Sequence, residues 1–128
     1  MQCSVHHIEI NVSDLARSIA FYCVLAEFVT SGTIEEHTNA FSWRFEDWYL
    51  WANQTQDRFL DRTYHRKTTG LDHLAFRLNS KEDVLALELY LIANNIPILF
   101  KADTYGPNYF AVYFEDPDRF KLEFGAKF

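Results

Sequence analysis

The chain has 128 residues, 48% hydrophobic and 23% charged, the balance of a folded globular protein and not of a disordered segment. Its net charge is −6 and its longest basic run is Arg66-Lys67, which argues against nucleic acid as a main partner, because phosphate binding needs concentrated positive charge. No apolar run is long enough to span a bilayer and Met1-Gln2-Cys3-Ser4 opens no export signal, so no membrane partner and a cytoplasmic location are expected. Cys3 and Cys23 follow no metal or redox spacing and are expected to be free thiols in that compartment.

An internal repeat organises the chain. The first copy opens with His7-Ile8-Glu9-Ile10-Asn11-Val12, where apolar residues alternate as in a strand with one face against a core. Ser13 and Asp14 can then cap a helix over Leu15–Leu25, in which Leu15, Ile19 and Tyr22 fall at helical spacing. Short strands are expected at Phe28–Thr33, Phe41–Phe45 and Tyr49–Ala52. A polar segment, Gln54–Thr69, follows. The second copy opens with His73-Leu74-Ala75-Phe76-Arg77-Leu78, then Ser80 caps a helix through Val84, Leu87, Leu91 and Ile92 that ends before Pro97. Strands are expected at Ile96–Phe100, Tyr109–Phe114 and Phe120–Phe124. The predicted fold is α+β: two βαβββ modules, 1–53 and 70–128, joined by a linker over 54–69. One such module is too small for a good core, so two must combine into a curved, open, barrel-like mixed sheet with the helices outside.

Strand alternation sorts the side chains by face. Ile8, Ile10 and Val12 face the first helix, which leaves His7, Glu9 and Asn11 on the other side. Leu74, Phe76 and Leu78 face the second helix, leaving His73, Ala75 and Arg77 opposite; in the last strand Lys121 and Glu123 share that helix-free side. If the helix-free faces line one cavity, His7, His73 and Glu123 converge. Two imidazoles and one carboxylate suit a divalent Mn, Fe, Ni or Zn ion and leave coordination positions open for substrate. A single strand histidine is more often a hydrogen-bonded core or surface residue, and Glu123 alone could pair with Lys121; three such residues at matching places in a repeat carry more weight. His6 is expected to point away from His7, and His37 and His65 to be exposed.

The run His7-Ile8-Glu9-Ile10-Asn11-Val12-Ser13-Asp14-Leu15-Ala16-Arg17-Ser18-Ile19-Ala20-Phe21-Tyr22 resembles the first strand and helix of the vicinal oxygen chelate superfamily. That superfamily includes glyoxalase I, fosfomycin-resistance, bleomycin-resistance and extradiol dioxygenase proteins. Gly70-Leu71-Asp72-His73-Leu74-Ala75-Phe76 resembles the start of its second module, and Phe114-Glu115-Asp116-Pro117-Asp118-Arg119-Phe120-Lys121-Leu122-Glu123 its final hairpin and metal-binding strand. The resemblance implies that His7, His73 and Glu123 occupy three of the metal-ligand positions. The fourth falls near Trp51, where glyoxalase I enzymes carry a carboxylate that Tyr49-Leu50-Trp51-Ala52 lacks. Arg119 stands where the Asp-Pro-Asp turn usually continues with Gly.

The expected function is a metal-dependent enzyme, a lyase, isomerase or dioxygenase acting on a small oxygen-bearing substrate. The alternative is a non-catalytic drug-binding protein of the bleomycin-resistance type. Glu9 is either a general base or the ion-pair partner of Arg77. Tyr113 matches a position that faces substrate in some relatives. Trp43 and Trp51, with Trp48, form an aromatic wall for substrate or belong to the core, so Trp43, Trp51, Arg77 and Tyr113 are the candidate substrate contacts. No Lys, Ser and Arg loop for a phosphonate is evident around Asp103–Asn108. A homodimer is expected, because each module offers apolar and aromatic sheet edges that a monomer would struggle to cover.

Overall fold

In a computed structural model describing residues 1–128, the repeat becomes two compact units, Met1–Thr63 and Tyr64–Phe128. The first contains β1 (His7–Val12), α1 (Leu15–Phe28), β2 (Thr33–His37), β3 (Ala40–Arg44) and β4 (Tyr49–Gln54), then a single 3-10 turn at Asp57–Phe59. The second contains β5 (His73–Arg77), α2 (Lys81–Ala93), β6 (Ile98–Thr104), β7 (Tyr109–Glu115) and β8 (Lys121–Lys127). Strand order is β1-β4-β3-β2 in one sheet and β5-β8-β7-β6 in the other. The opening strand lies parallel to the last strand of its own unit, and the other pairings are antiparallel. Each unit is therefore βαβββ with an open mixed sheet, and the class is α+β. No helix is long and apolar enough to cross a membrane.

Both helices start where polar side chains satisfy their first amides. Asp14 Oδ1 accepts from Arg17 N at 3.0 Å, and Ser80 Oγ accepts from Asp83 N at 3.1 Å. Gln54, the last residue of β4, adds a tertiary clamp: its Oε1 accepts from Leu15 N and its Nε2 donates to Ser13 O, both at 2.9 Å. In the first unit Tyr22 and Leu25 of α1 bury against Val12, Phe41, Trp43 and Leu50. Gly32 permits this, because a Cβ there would collide with the Trp43 indole. In the second, Val84, Leu87 and Leu91 of α2 bury with Phe76, Val112, Phe114, Leu122 and Phe124.

Three elements depart from the sequence expectations. The strand expected at Phe28–Thr33 lies later, at Thr33–His37, because α1 continues to Phe28 and a turn intervenes. Thr33-Ile34-Glu35-Glu36-His37 is a polar outer strand with only Ile34 half-buried; pairing with β3 makes it a strand, and no apolar face announces it. β6 begins at Ile98, since Ile96 is still tied to the end of α2 through its N–H to Leu91 O. β8 runs on to Lys127. The segment after Thr63 packs on the second unit: Tyr64 sets its ring 4.2 Å from Phe120 and its hydroxyl on Leu71 O, and Arg66 Nη1 meets Glu115 Oε1 at 2.5 Å.

The β7–β8 turn is built on one carboxylate. Asp116 is buried, and its Oδ1 accepts from Asp118 N and Phe120 N, both at 2.9 Å. The turn forces Arg119 to φ 67°, the left-handed conformation expected where the family turn carries Gly. The other non-glycine residues with positive φ are Asn39, Asn95 and Asn108, all of the type that best tolerates it. Arg119→Gly is predicted to raise stability in urea titrations by up to about 1 kcal/mol, the relief of left-handed strain. Asp116→Ala is predicted to lower it by about 1–3 kcal/mol, because two turn amides lose their acceptor.

Candidate functional site

In the second unit, β5 and β8 are parallel neighbours with His73 opposite Lys121 and Ala75 opposite Glu123. Tyr113 of β7 faces Glu123 from the other side. All these residues share the face that α2 does not cover. Ala75 leaves room between strands, so His73 reaches diagonally to Glu123: Nε2 and Oε2 are 2.8 Å apart. The other imidazole nitrogen, Nδ1, lies 2.8 Å from Asp72 Oδ1. Asp72 in turn takes Lys121 Nζ at 2.9 Å, with Lys67 Nζ at 3.9 Å. Hydrogen bonding from His73, then from Lys121, holds the Asp72 carboxyl well below the usual carboxylate range.

Glu123 keeps only 8% of its side chain exposed. Its second oxygen, Oε1, accepts from the Tyr109 hydroxyl at 2.6 Å. Gly125 makes this possible, since any Cβ at that position would occupy the space of the Tyr109 hydroxyl. Burial, then the bond to Glu123, pushes the Tyr109 phenol far above its ordinary value. Burial, then the Glu123 charge, pushes Tyr113 up to about 12. Both phenols stay protonated at neutral pH and act as donors.

His73 and Glu123 supply two donors of the kind a divalent ion takes. With metal–N and metal–O bonds of about 2.0–2.2 Å, adjacent ligands sit roughly 2.9–3.4 Å apart. The Nε2–Oε2 separation is already close to that. The Asp72 contact fixes the ring so that Nε2 points toward Glu123, the arrangement by which an outer carboxylate orients a metal-binding histidine.

In the first unit the helix-free face carries His7, Glu9 and Asn11 of β1 beside Tyr49, Trp51 and Asn53 of β4, in register. His7 stacks on Tyr49 with ring centres 5.1 Å apart, and Arg44 covers the Tyr49 ring at 4.5 Å. His7 Nε2 is 4.0 Å from Glu9 Oε1. Its Nδ1 is 2.8 Å from Nδ1 of His6, contrary to the expectation that His6 turns away: His6 precedes β1, so strand alternation does not govern it. His37 is exposed as expected, yet its ring stacks on Trp51 at 4.5 Å and its Nε2 meets Ser42 Oγ at 3.0 Å. Trp51 donates from Nε1 to Asn53 Oδ1 at 2.7 Å, and no carboxylate stands at its position.

Trp43 takes the core alternative: it lies on the helix side of β3, fully buried, with its ring 5.8 Å from Tyr22. Lys121 pairs with Asp72 and not with Glu123. His73 and Glu123 meet directly, but within neither unit do three or more His, Cys, Asp and Glu gather in metal-holding geometry. Asp72 and Tyr109 escaped the sequence reading. The signal for Asp72 was its place beside a candidate ligand; for Tyr109 it was the small residue, Gly125, two places after Glu123.

Residues 4–124 match the Glyoxalase/Bleomycin resistance protein/Dioxygenase superfamily, and the chain belongs to it. It is 35% identical over 126 residues to the uncharacterized protein YqjT of Bacillus subtilis (strain 168), covering 95% of this chain and 98% of that one. It is 31% identical to the uncharacterized protein YaeR of Escherichia coli (strain K12), covering 93% and 92%. A solved structure of a proposed glyoxalase from Bacillus halodurans superposes with a TM-score of 0.87 at 40% identity, covering 98% of this chain and 96% of that one. The lactoylglutathione lyase of Agrobacterium tumefaciens shares the fold, with a TM-score of 0.71 at 17% identity over 98% and 94%.

Tyr109→Phe is predicted to lower stability by about 1–3 kcal/mol in urea titrations, because a buried carboxylate oxygen loses its donor. An unchanged midpoint would show that Glu123 does not depend on Tyr109.

Proposed function

We propose that this protein is a metal-dependent enzyme acting on a small substrate that presents neighbouring oxygens, with His7, His73 and Glu123 as the protein ligands of one divalent ion. The observation that carries the reading is the His73–Glu123 contact at 2.8 Å with Asp72 behind the imidazole, a ligand pair with its orienting partner. The chemistry such an ion supplies is Lewis-acid polarisation of substrate oxygens. Asp72 would fix the tilt of His73, and Tyr109 occupies Oε1 of Glu123, so that Oε2, which His73 Nε2 meets at 2.8 Å, is the atom an ion would take. Tyr113, opposite Glu123 on β7, hydrogen-bonds that carboxylate and lines the same face of the sheet. Trp51 offers an apolar wall.

Glu9 is the proposed general base. Its carboxylate stands 4.0 Å from His7 Nε2 on a half-exposed strand face, where it can take a proton from substrate and return it to a neighbouring atom. Proton transfer of that kind fits a lyase or isomerase better than a dioxygenase.

Metal content by elemental analysis tests the ligand set. Wild-type protein is expected to hold one divalent ion per site, His7→Ala, His73→Ala and Glu123→Ala to lose it, and Asp72→Asn to weaken affinity about tenfold or more. Wild-type protein that takes up no transition metal, yet binds small molecules, would replace the enzyme with a drug-binding protein.

The base is tested separately. Screening metal-loaded protein against diols, catechols, hemithioacetals and epoxides supplies the assay. Glu9→Gln is then expected to keep its metal and its KM while kcat falls by about 10²–10⁴-fold. Full activity in Glu9→Gln rules out the role.

A further inference from the structure

Next to the His73–Glu123 pair the helix-free face of the second sheet opens into a cavity of about 180 Å³, lined by Ala75, Phe76, Arg77, Tyr109, Gly125 and Lys127. Its position follows from strand register. Arg77, the last residue of β5, lies opposite Gly125, and Lys127 lies opposite Tyr109. Gly125 contributes no side chain, and the Tyr109 ring and hydroxyl pack into the space a Cβ would take. Ala75 adds only a methyl group, and the Tyr109 ring forms one wall.

Arg66, Lys67, Arg119 and Lys121 of this unit each reach a carboxylate. Arg77 and Lys127 are exposed and have no such partner within their unit. Tyr109 cannot serve as a donor to a ligand, because its proton is already given to Glu123. Two cations with no internal anion therefore border a small, partly apolar recess. Like charges that border one recess repel one another, and an anion bound between them offsets that repulsion. The volume is below the roughly 300–1,000 Å³ of pockets that enclose a whole drug-sized ligand. It suits one end of a small molecule.

We propose that this cavity is an oxyanion subsite, which holds the carboxylate or phosphate group of a small substrate between Arg77 and Lys127. The anion lies at the Arg77 and Lys127 end of the strands, and Glu123 lies toward the His73 end. A substrate held at this end directs its remaining oxygens past the Tyr109 ring toward the His73–Glu123 pair. The substrate class is thus a short acid or phosphate ester with oxygens a few bonds from the anionic group, and Arg77 is a specificity residue. This direction of the second end rests on the metal-enzyme reading; the subsite itself does not.

The test uses the full chain after dialysis against EDTA, so failure of metal binding leaves the result readable. Propionate and inorganic phosphate are titrated, with propionamide as the neutral isostere, and the backbone amide resonances of Gly125 and Tyr109 are followed. Saturable shifts are expected with propionate, phosphate or both, and none with propionamide. A response to propionate alone assigns a carboxylate; a response to phosphate alone assigns a phosphate group. Arg77→Gln and Lys127→Gln, both at exposed positions that preserve the fold, are each expected to weaken binding about tenfold, the loss of one charge-assisted hydrogen bond. Shifts that are equal for propionamide, absent for both anions, or unchanged in the two variants overturn the proposal.

Discussion

A carboxylate at Glu123 stands almost entirely out of water, and a buried charge costs several kcal/mol unless its oxygens are met by donors. The second unit is arranged to meet them. His73 takes one oxygen and Tyr109 the other. Tyr109 can reach only because Gly125 has no side chain, and His73 is held at its far nitrogen by Asp72, itself anchored by Lys121. Lys121, Glu123, Gly125 and Lys127 are alternate residues of one strand. The alternating face of β8 thus supplies the buried acid, the anchor of its partner, the gap for its second partner and a cation of the neighbouring cavity.

The two units place different side chains at corresponding positions of one topology. In the second, the position diagonal to the opening histidine holds Glu123 on the last strand, and its in-register neighbour on the opening strand is Ala75. In the first, the corresponding position on the last strand is Trp51, and its neighbour on the opening strand is Glu9. The acid has changed strands. In one unit the imidazole meets a buried carboxylate with a fixed partner on each oxygen; in the other it stacks on Tyr49 with a more exposed carboxylate nearby. The Glu123 carboxylate is buried and held at both oxygens, while the Glu9 side chain is exposed.

Much of this was legible in the sequence, because its signals are local. Alternation over His7–Val12 and His73–Leu78 showed which residues share a face, and Ser80 and Asp14 marked the helix starts. Other features depend on partners distant in sequence. β2 is a strand through its pairing with β3, and its own residues are polar. Trp43 is in the core because α1 covers that side of β3 and Gly32 yields the space, a relation that aromatic composition cannot convey. Tyr109 lies fourteen residues from Glu123; the β7–β8 pairing sets it opposite Lys127, and its ring reaches over Gly125 to the carboxylate.

The outer strands have a consequence for solution behaviour. A sheet edge with regular, apolar backbone invites pairing with another chain. β2 ends the first sheet with Glu35 and Glu36 exposed on its two faces, and β6 ends the second with register shifts between Ile98 and Phe100 and again before Asp103. Charge at one edge and bends at the other disfavour strand addition. The polar residues that kept β2 from announcing itself in the sequence thus also make it a poor template for a further strand.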